Sequence, residues 1–281
     1  MKNCYILYNP KAGNGNGKFE AQNFDIIYCS GIQTFHFDMT KITSYKKFFE
    51  GISFTDDIVI CGGDGTLNKF INSVRNLNIK QHIYYFPCGT GNDFMKDVAP
   101  GKDVVQINQY IANLPKVSIN GKESLFINGV GYGIDGYCCE VGDELRLKST
   151  KPVNYTSIAI KGLLFHYKPT NATIIVDGKK YTYNKVWIAP TMKGRYYGGG
   201  MIPTPNQKRD SNELSLMVFH GSGKLKTLCI FPSIFKGEHI KKTKNVSILT
   251  GKEITVKFDA PRPLQIDGET VKNVTEYTAK I

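Results

Sequence analysis

The chain has 281 residues, 41% hydrophobic and 21% charged, so it is long enough for two domains or one large one with a sizeable core, which excludes a disordered or fibrous chain. Thirty-six Lys and Arg against 24 Asp and Glu leave a formal charge of +12. Beyond mere solubility, that charge calls for an acidic partner: nucleic acid, an anionic membrane or phosphorylated small molecules.

The stretch Met1 to Pro10 is too short and too polar for a signal peptide. No segment approaches the length of a membrane-spanning helix, and the most apolar late run, Leu228 to Phe235, is broken by Pro232. Seven cysteines, an odd count without C-x-x-C pairs, fit free thiols in a reducing cytosol. With the five histidines they show no zinc-ligand spacing.

Tyr5 to Tyr8 reads as a strand, followed by the loop Tyr8 to Lys18 with three glycines, Gly13, Gly15 and Gly17. Glycines let backbone amides approach an anion, and a following helix N-terminus adds its dipole. The loop is not a Walker A motif: Gly13 to Lys18 is one residue short, and Phe19 stands where the Mg-binding Ser or Thr belongs. By itself it fits a flexible turn as well as a phosphate cradle. Thr34 to Phe37 is the next expected strand. Asp57 to Cys61 is a continuous apolar run, as expected of a buried parallel strand, and Leu67, Phe70, Ile71 and Val74 recur after it at helical spacing.

Cys61 to Asn68 joins that strand to that helix, which is where an open α/β sheet binds ligands. Gly62, Gly63 and Gly65 allow close approach to phosphates, and Thr66 can cap the helix or donate to a phosphate oxygen. Asp64 among these glycines repels anions unless a cation bridges them, which argues for Mg2+ held through water; the bland alternative is an ordinary turn residue. Ile83 to Phe86 is another strand, and Pro87 to Asp93 repeats the arrangement with Gly89, Thr90 and Gly91. Asn92 and Asp93 can cap the following helix or reach ribose or a metal-bound water.

This rhythm predicts an α/β domain with a parallel sheet over residues 1–115. Near Lys116 it changes. Val117–Ile119, Ser124–Asn128, Ala172–Val176, Val186–Ala189, Leu214–Phe219, Ile254–Phe258 and Pro263–Ile266 read as strands, interrupted by helical stretches at Thr156–His166 and Lys224–Phe235. Asp177-Gly178 is a hairpin signal. A mainly antiparallel β-sandwich domain is expected over 116–281. The basic residues are scattered, with small clusters at Lys208-Arg209 and Lys241-Lys242-Lys244, and without RNA-binding or zinc-finger signatures no nucleic-acid partner is expected.

Taken together these residues resemble the catalytic domain of diacylglycerol kinases and their relatives, which include soluble bacterial lipid kinases, sphingosine kinases and ceramide kinases. The likeness rests on GGDGT at Gly62–Thr66, N-P-x-x-G at Asn9–Gly13 and G-T-x-N-D at Gly89–Asp93. It continues in family order through Asn128–Asp135, Lys236–Val246 and Leu264–Glu269. GGDGT also occurs in NAD kinases and, more loosely, in phosphofructokinases; the downstream matches favour lipid kinases. Gly131–Gly136 fits G-x-G-x-x-G, but no acidic residue follows about twenty positions on to hold a ribose, so it is not a dinucleotide fingerprint.

The resemblance implies an NAD kinase-like α/β domain followed by a β-sandwich whose C-terminal segment can pack back on the first domain. It implies a Mg-dependent lipid kinase with ATP as co-substrate and an active site in the interdomain cleft. Asn9, Gly13, Gly62, Gly63, Gly65, Thr66, Gly89, Thr90, Gly91 and Asn92 would bind nucleotide. Asp267 would be the base and Asp64 its catalytic partner, and Asp64, Asp93, Asp210 and Glu269 would serve the metal. Read locally, Asp267-Gly268 is also an ordinary hairpin turn. In one departure, Ser211 and Asn212 follow Asp210 where the family has Asp-Gly beside a bound magnesium.

The acceptor would enter an apolar cavity that Phe165–Tyr167 and Tyr196-Tyr197 could line, whereas His166 and His239 are expected to be structural. Diacylglycerol, a sphingoid base, phosphatidylglycerol and an undecaprenyl-like alcohol all fit. The expected setting is the cytoplasm, peripheral to the membrane surface, with a homodimer possible through an edge strand. The competing readings are a kinase for a soluble metabolite such as NAD and a non-catalytic lipid- or nucleotide-binding homologue.

Overall fold

In the computed structural model, which describes residues 2–148 and 153–281, the chain divides into two units, Met1–Asn113 and Leu114–Ile281. The first is built from β1 (Asn3–Tyr8), α1 (Gly17–Tyr28), β2 (Gln33–Asp38), α2 (Tyr45–Glu50), β3 (Asp57–Gly62), α3 (Asp64–Val74), β4 (His82–Pro87), α4 (Asp93–Val98) and β5 (Val105–Gln106). The sheet runs β2-β1-β3-β4-β5, with the first four strands parallel and β5 antiparallel to β4. Ile58 to Cys61 of β3 are all buried, as a strand covered on both faces must be. Leu67, Phe70, Ile71 and Val74 are the buried stripe of α3. On the other face, Ala21 and Phe24 of α1 pack with Cys4, Ile6, Val59 and Cys61.

The second unit is β6 (Lys116–Ile119), β7 (Lys122–Leu125), β8 (Gly129–Tyr132), α5 (Ile134–Lys148), α6 (Tyr155–Lys161), β9 (Thr170–Val176), β10 (Lys179–Val186), β11 (Thr191–Met192), β12 (Leu214–Phe219), α7 (Lys224–Ile230), β13 (Val246–Gly251), β14 (Glu253–Ile266) and β15 (Glu269–Lys280). Its antiparallel strands follow the order β13-β12-β11-β8-β14-β15-β6-β7, and β9 pairs with both β10 and β14. One core fills the strands, with Val130, Ile174, Leu216, Val256, Phe258 and Tyr277 among its members. A second lies beneath the helices, where Ile134, Ile158, Leu163, Trp187, Phe231 and Ile234 meet. Among the described residues no helix is long and apolar enough to cross a membrane.

Several expected elements change shape. Ile254–Phe258 and Pro263–Ile266 belong to one strand, β14, which pairs with β9 at its start and β8 at its end through an irregular register. The expected strand Ser124–Asn128 ends at Leu125, because the Ile127 and Asn128 N–H groups turn to a side chain instead. Val186–Ala189 stops at Val186, although Ile188 still bridges Gly133 and Phe219. Thr156–His166 is α6 followed by a π turn, Gly162–His166, and Lys224–Phe235 divides where Pro232 forces a 3-10 continuation.

Helix α5 is unexpected. Its stretch Ile-Asp-Gly-Tyr-Cys-Cys-Glu has no clear apolar period, yet it packs on β14 and buries Ile134, Asp135 and Cys138. Strands β10 and β15 also escape the periodicity, because their exposed faces carry Lys, Asn, Thr and Glu, and β13, Val-Ser-Ile-Leu-Thr-Gly, was likewise not expected.

Candidate active site

Three loops leave the C-terminal ends of the neighbouring parallel strands β1, β3 and β4 and lock onto one another. The Asn9 side chain donates to Thr66 Oγ1 at 2.9 Å, and the Asn9 N–H donates to the Cys61 carbonyl. The Gly62 carbonyl accepts both the Cys88 N–H and the Tyr85 hydroxyl, each at 3.0 Å. Gly63 and Gly89 meet Cα to Cα: a Cβ on Gly89 would lie 2.6 Å from the Gly63 Cα. A Cβ on Gly13 would lie 2.6 Å from the Cys88 carbonyl oxygen. These glycines are therefore required by loop-to-loop contact as well as by any ligand. The first loop contains Gly13 and Asn14 at φ 56° and 58°, both in the left-handed region.

Asp64 serves as a bridge. Its Oδ2 accepts the Asp93 N–H and its Oδ1 the Phe94 N–H, both at 2.9 Å, so a carboxylate of α3 caps the N-terminus of α4. Asn92, expected to cap that helix, instead has φ 51° and closes its side chain on both backbone groups of Gly89. Thr66 receives Asn9 rather than capping α3. Gly65 lies in the first turn of α3, Thr90 is exposed and Gly91 half-buried in the third loop, and Asp93 is buried at the start of α4 within 3.9 Å of Lys96.

In the second unit Asp267 occupies the hairpin turn between β14 and β15, with φ 47° followed by Gly268 at φ 92°. Its side chain does more than a turn requires. Only 7% of the residue is exposed, and the carboxylate accepts the N–H groups of Ile127 (2.6 Å), Asn128 (2.8 Å) and Gly129 (3.0 Å). Arg209 fastens the same segment from outside: one guanidinium nitrogen donates to the Ile127 carbonyl, another to Asn128 Oδ1 at 2.9 Å. The Asn128 carbonyl accepts the N–H groups of Lys193 and Gly194. Lys193 is itself buried, and its ammonium donates to the Ser211 carbonyl at 2.8 Å. Burial, followed by the charge of Arg209, pulls the Lys193 pKa below the usual lysine range.

Sequence reasoning missed Arg209, Lys193 and Asn128 as working parts. Arg209 read as one member of a basic pair, and nothing local to it announces a partner eighty residues away.

Asp210 and Glu269 are exposed. In the loop around Asp210 the Ser211 carbonyl is taken by Lys193, and the Lys208 and Glu213 carbonyls by the Gln207 side chain at 3.0 Å. Among the described residues no three His, Cys, Asp or Glu side chains come together to hold a metal ion. The G-x-G-x-x-G stretch has a packing explanation: a Cβ on Gly131 would strike Asp135 Oδ2, and one on Gly136 the Pro263 carbonyl. Of the aromatics expected to line a lipid cavity, Tyr167 and Tyr197 belong to the core and Phe165 is 71% exposed. His239 is fully buried with Nε2 2.8 Å from the Pro203 carbonyl, a structural role, while His166 is exposed.

Residues 3–119 match the family described as the diacylglycerol kinase catalytic domain, and residues 128–279 match the YegS C-terminal NAD kinase beta sandwich-like domain. Proteins named "putative lipid kinase" from Staphylococcus aureus strains N315 and Newman are each 28% identical over 257 residues, covering 87% of this chain and 76% of theirs. A crystal structure of a "putative diacylglycerol kinase" from Bacillus anthracis strain Sterne superposes with a TM-score of 0.70 at 21% identity. It covers 99% of this chain and 92% of that one. A second structure from that strain, called a diacylglycerol kinase, gives 0.62 at 20% identity, covering 99% and 93%. At such identities these two structures speak for the fold.

Proposed function

Because the chain belongs to the diacylglycerol kinase catalytic-domain family, a family of kinases, we propose that it transfers the γ-phosphate of ATP to the hydroxyl of a lipid, diacylglycerol-like, in a Mg2+-dependent reaction. The observation that carries this reading is Asp267, a buried carboxylate aimed by three backbone N–H groups. Phosphoryl transfer needs positioning, charge neutralisation and a base for the hydroxyl proton. A lipid alcohol holds its proton at neutral pH, and a carboxylate within hydrogen-bond reach takes it as the new P–O bond forms. A fixed carboxylate adds orientation to basicity.

The phosphates sit on the loops at Asn9–Gly13, Gly62–Thr66 and Gly89–Asn92, whose backbones the glycines bring together. Mg2+ when bound neutralises charge on the transferring phosphate. Both Asp64 oxygens already accept a main-chain N–H. That donor set suits a hydrated ion reached through water, which is how Mg2+ prefers to bind, and Asp64 with neighbouring Asp93 would hold it so. Asp210 and Glu269, both exposed, would complete the metal-binding set, with the Ser211, Lys208 and Glu213 carbonyls beside Asp210 each also accepting a protein hydrogen bond. The enzyme in this reading visits the membrane surface from the cytoplasm, without a nucleic-acid partner.

Phosphate transfer from γ-labelled ATP to a panel of lipids in mixed micelles with Mg2+ tests the assignment. A labelled lipid is expected, with the rate falling by at least about a hundredfold in Asp267→Asn while nucleotide binding persists. Label on a soluble acceptor and on no lipid would sink it. The NAD kinase-like character of the sandwich domain favours that second reading, in which the acceptor is a metabolite such as NAD.

A further inference from the structure

The turn that carries Asp267 is held by its main chain at two points. The Asp267 N–H donates to the Gly129 carbonyl at 3.1 Å, and the Gly268 N–H donates to Oε1 of Gln265 at 2.6 Å. Gln265 is 3% exposed, so its amide must find its partners inside the protein.

The other end of that amide meets Asp135. Gln265 lies opposite Gly131 in the pairing of β14 with β8, and Gly131 has no side chain to fill the space above it. The Asp135 carboxylate enters that space from the first turn of α5. A Cβ on Gly131 would lie 1.6 Å from Asp135 Oδ2 and 2.7 Å from Gln265 Nε2. The second carboxylate oxygen, Oδ1, accepts the Gly136 N–H at 2.9 Å. Asp135 is 7% exposed, and the phosphoryl transfer proposed above makes no direct use of it.

An amide has one donor end and one acceptor end. The Gly268 N–H demands the acceptor. An ionised carboxylate, which only accepts, demands the donor. Burial pushes Asp135 up to about 6, with the facing Gln265 amide among the groups that pull it back, so the carboxylate form prevails at neutral pH. The approach of Nε2 to Oδ2 falls short of full hydrogen-bond alignment. Its charge still fixes which way the amide faces, because the reversed amide would set oxygen against carboxylate and NH2 against the Gly268 N–H.

We propose that Gln265 is a positioning residue for the Asp267 carboxylate, and that Asp135 sets the direction of the Gln265 amide. The inference rests on the kinase reading in which Asp267 is the base. A turn released from Gln265 lets that base leave its line, so orientation is lost while basicity remains.

Swapping acid and amide tests the chain of contacts. In Asp135→Asn the side-chain oxygen stays on the Gly136 N–H, so the new NH2 faces Gln265, turns its amide over and sets a donor against the Gly268 N–H. Adding Gln265→Glu restores the order, with a carboxylate between the introduced NH2 and the Gly268 N–H. In Asp135→Asn, kcat for lipid phosphorylation is expected to fall about tenfold or more with KM for ATP within about twofold, and the double variant should return to within about threefold of the wild type. Amide exchange at Gly268, followed by NMR, should quicken about tenfold or more in the single variant and slow again in the double one. In an Asp267→Asn background, Asp135→Asn should change kcat by less than about twofold, because no base is left to aim. Asp135→Asn should also be at least as stable as the wild type at neutral pH, so that a slower rate does not report a damaged fold. Wild-type kcat in Asp135→Asn, a double variant no faster than the single one, or unchanged Gly268 exchange would each overturn the proposal. If even the wild type labels no lipid, the kinase reading fails, and Gly268 exchange still decides whether acid and amide hold the turn.

Discussion

Asp267 shows how little a hairpin signal says about a side chain. An Asp-Gly turn with both residues in the left-handed region joins two antiparallel strands whatever the carboxylate does. Here the carboxylate reaches the segment entering β8, and Arg209 holds that segment's carbonyl and amide from the other side. Arg209 is thus a positioning residue for the proposed base. Replacing it with Ala should lower kcat about tenfold or more, since a carboxylate off its line loses the benefit of orientation, while KM for ATP stays within about twofold. Arg209→Lys should recover only part of the rate, because a single ammonium cannot reproduce the fork that spans the Ile127 carbonyl and Asn128 Oδ1. Steady-state kinetics with varied ATP separates the two constants. A rise in KM with kcat unchanged would assign Arg209 to nucleotide binding instead.

At the scale of elements, the three glycine-rich loops form one packed body at the ends of β1, β3 and β4. Each of their motifs was legible because it sits directly after an apolar run and before a helical period. Their mutual contacts were not, since Gly63 and Gly89 are 26 positions apart. Gly89→Ala gives a direct check. The added methyl would meet backbone at Gly63, which cannot swing aside as a side chain can. The expected cost is about 1–3 kcal/mol of stability, read from urea unfolding, together with a large loss of nucleotide affinity in a titration. Unchanged affinity would mean that the loops can part without harm to the cradle.

The same scale explains the missed elements. Helix α5 owes its place to packing on β14 that glycines 131 and 136 permit, and no hydrophobic stripe advertises it. β15 shows charged residues because one face is open, and its partners β14 and β6 decide that it is a strand.

For the whole molecule, a buried carboxylate links stability to pH. Burial pushes Asp135 up to about 6, against the pull of the Gly136 N–H and the nearby Tyr197 hydroxyl. Its Oδ2 makes no hydrogen bond of good geometry among the described residues. The folded chain therefore holds this proton more tightly than the unfolded chain, in which an aspartic acid titrates near 4. Stability is expected to fall as pH rises from about 4 to about 6 and to stay lower above that window. Asp135→Asn should remove this slope and raise stability at neutral pH by up to about 3 kcal/mol. Denaturant unfolding of both proteins across that range measures it; parallel curves would refute the assignment.

Much was settled by order along the chain alone. Alternating apolar runs and helical periods determined an α/β unit followed by antiparallel β structure, and glycines after strands marked the loops proposed to hold phosphate. Those are local signals, carried by residues within one or two turns of each other. The tertiary structure decided what spacing cannot encode. Asp64 caps a helix thirty residues away, Asp267 is aimed by the backbone of residues 127–129, and Arg209 and Lys193 brace that backbone. Hydrogen bonds between distant segments depend on which strands lie side by side, and that order is set only when the sheets and their cores assemble.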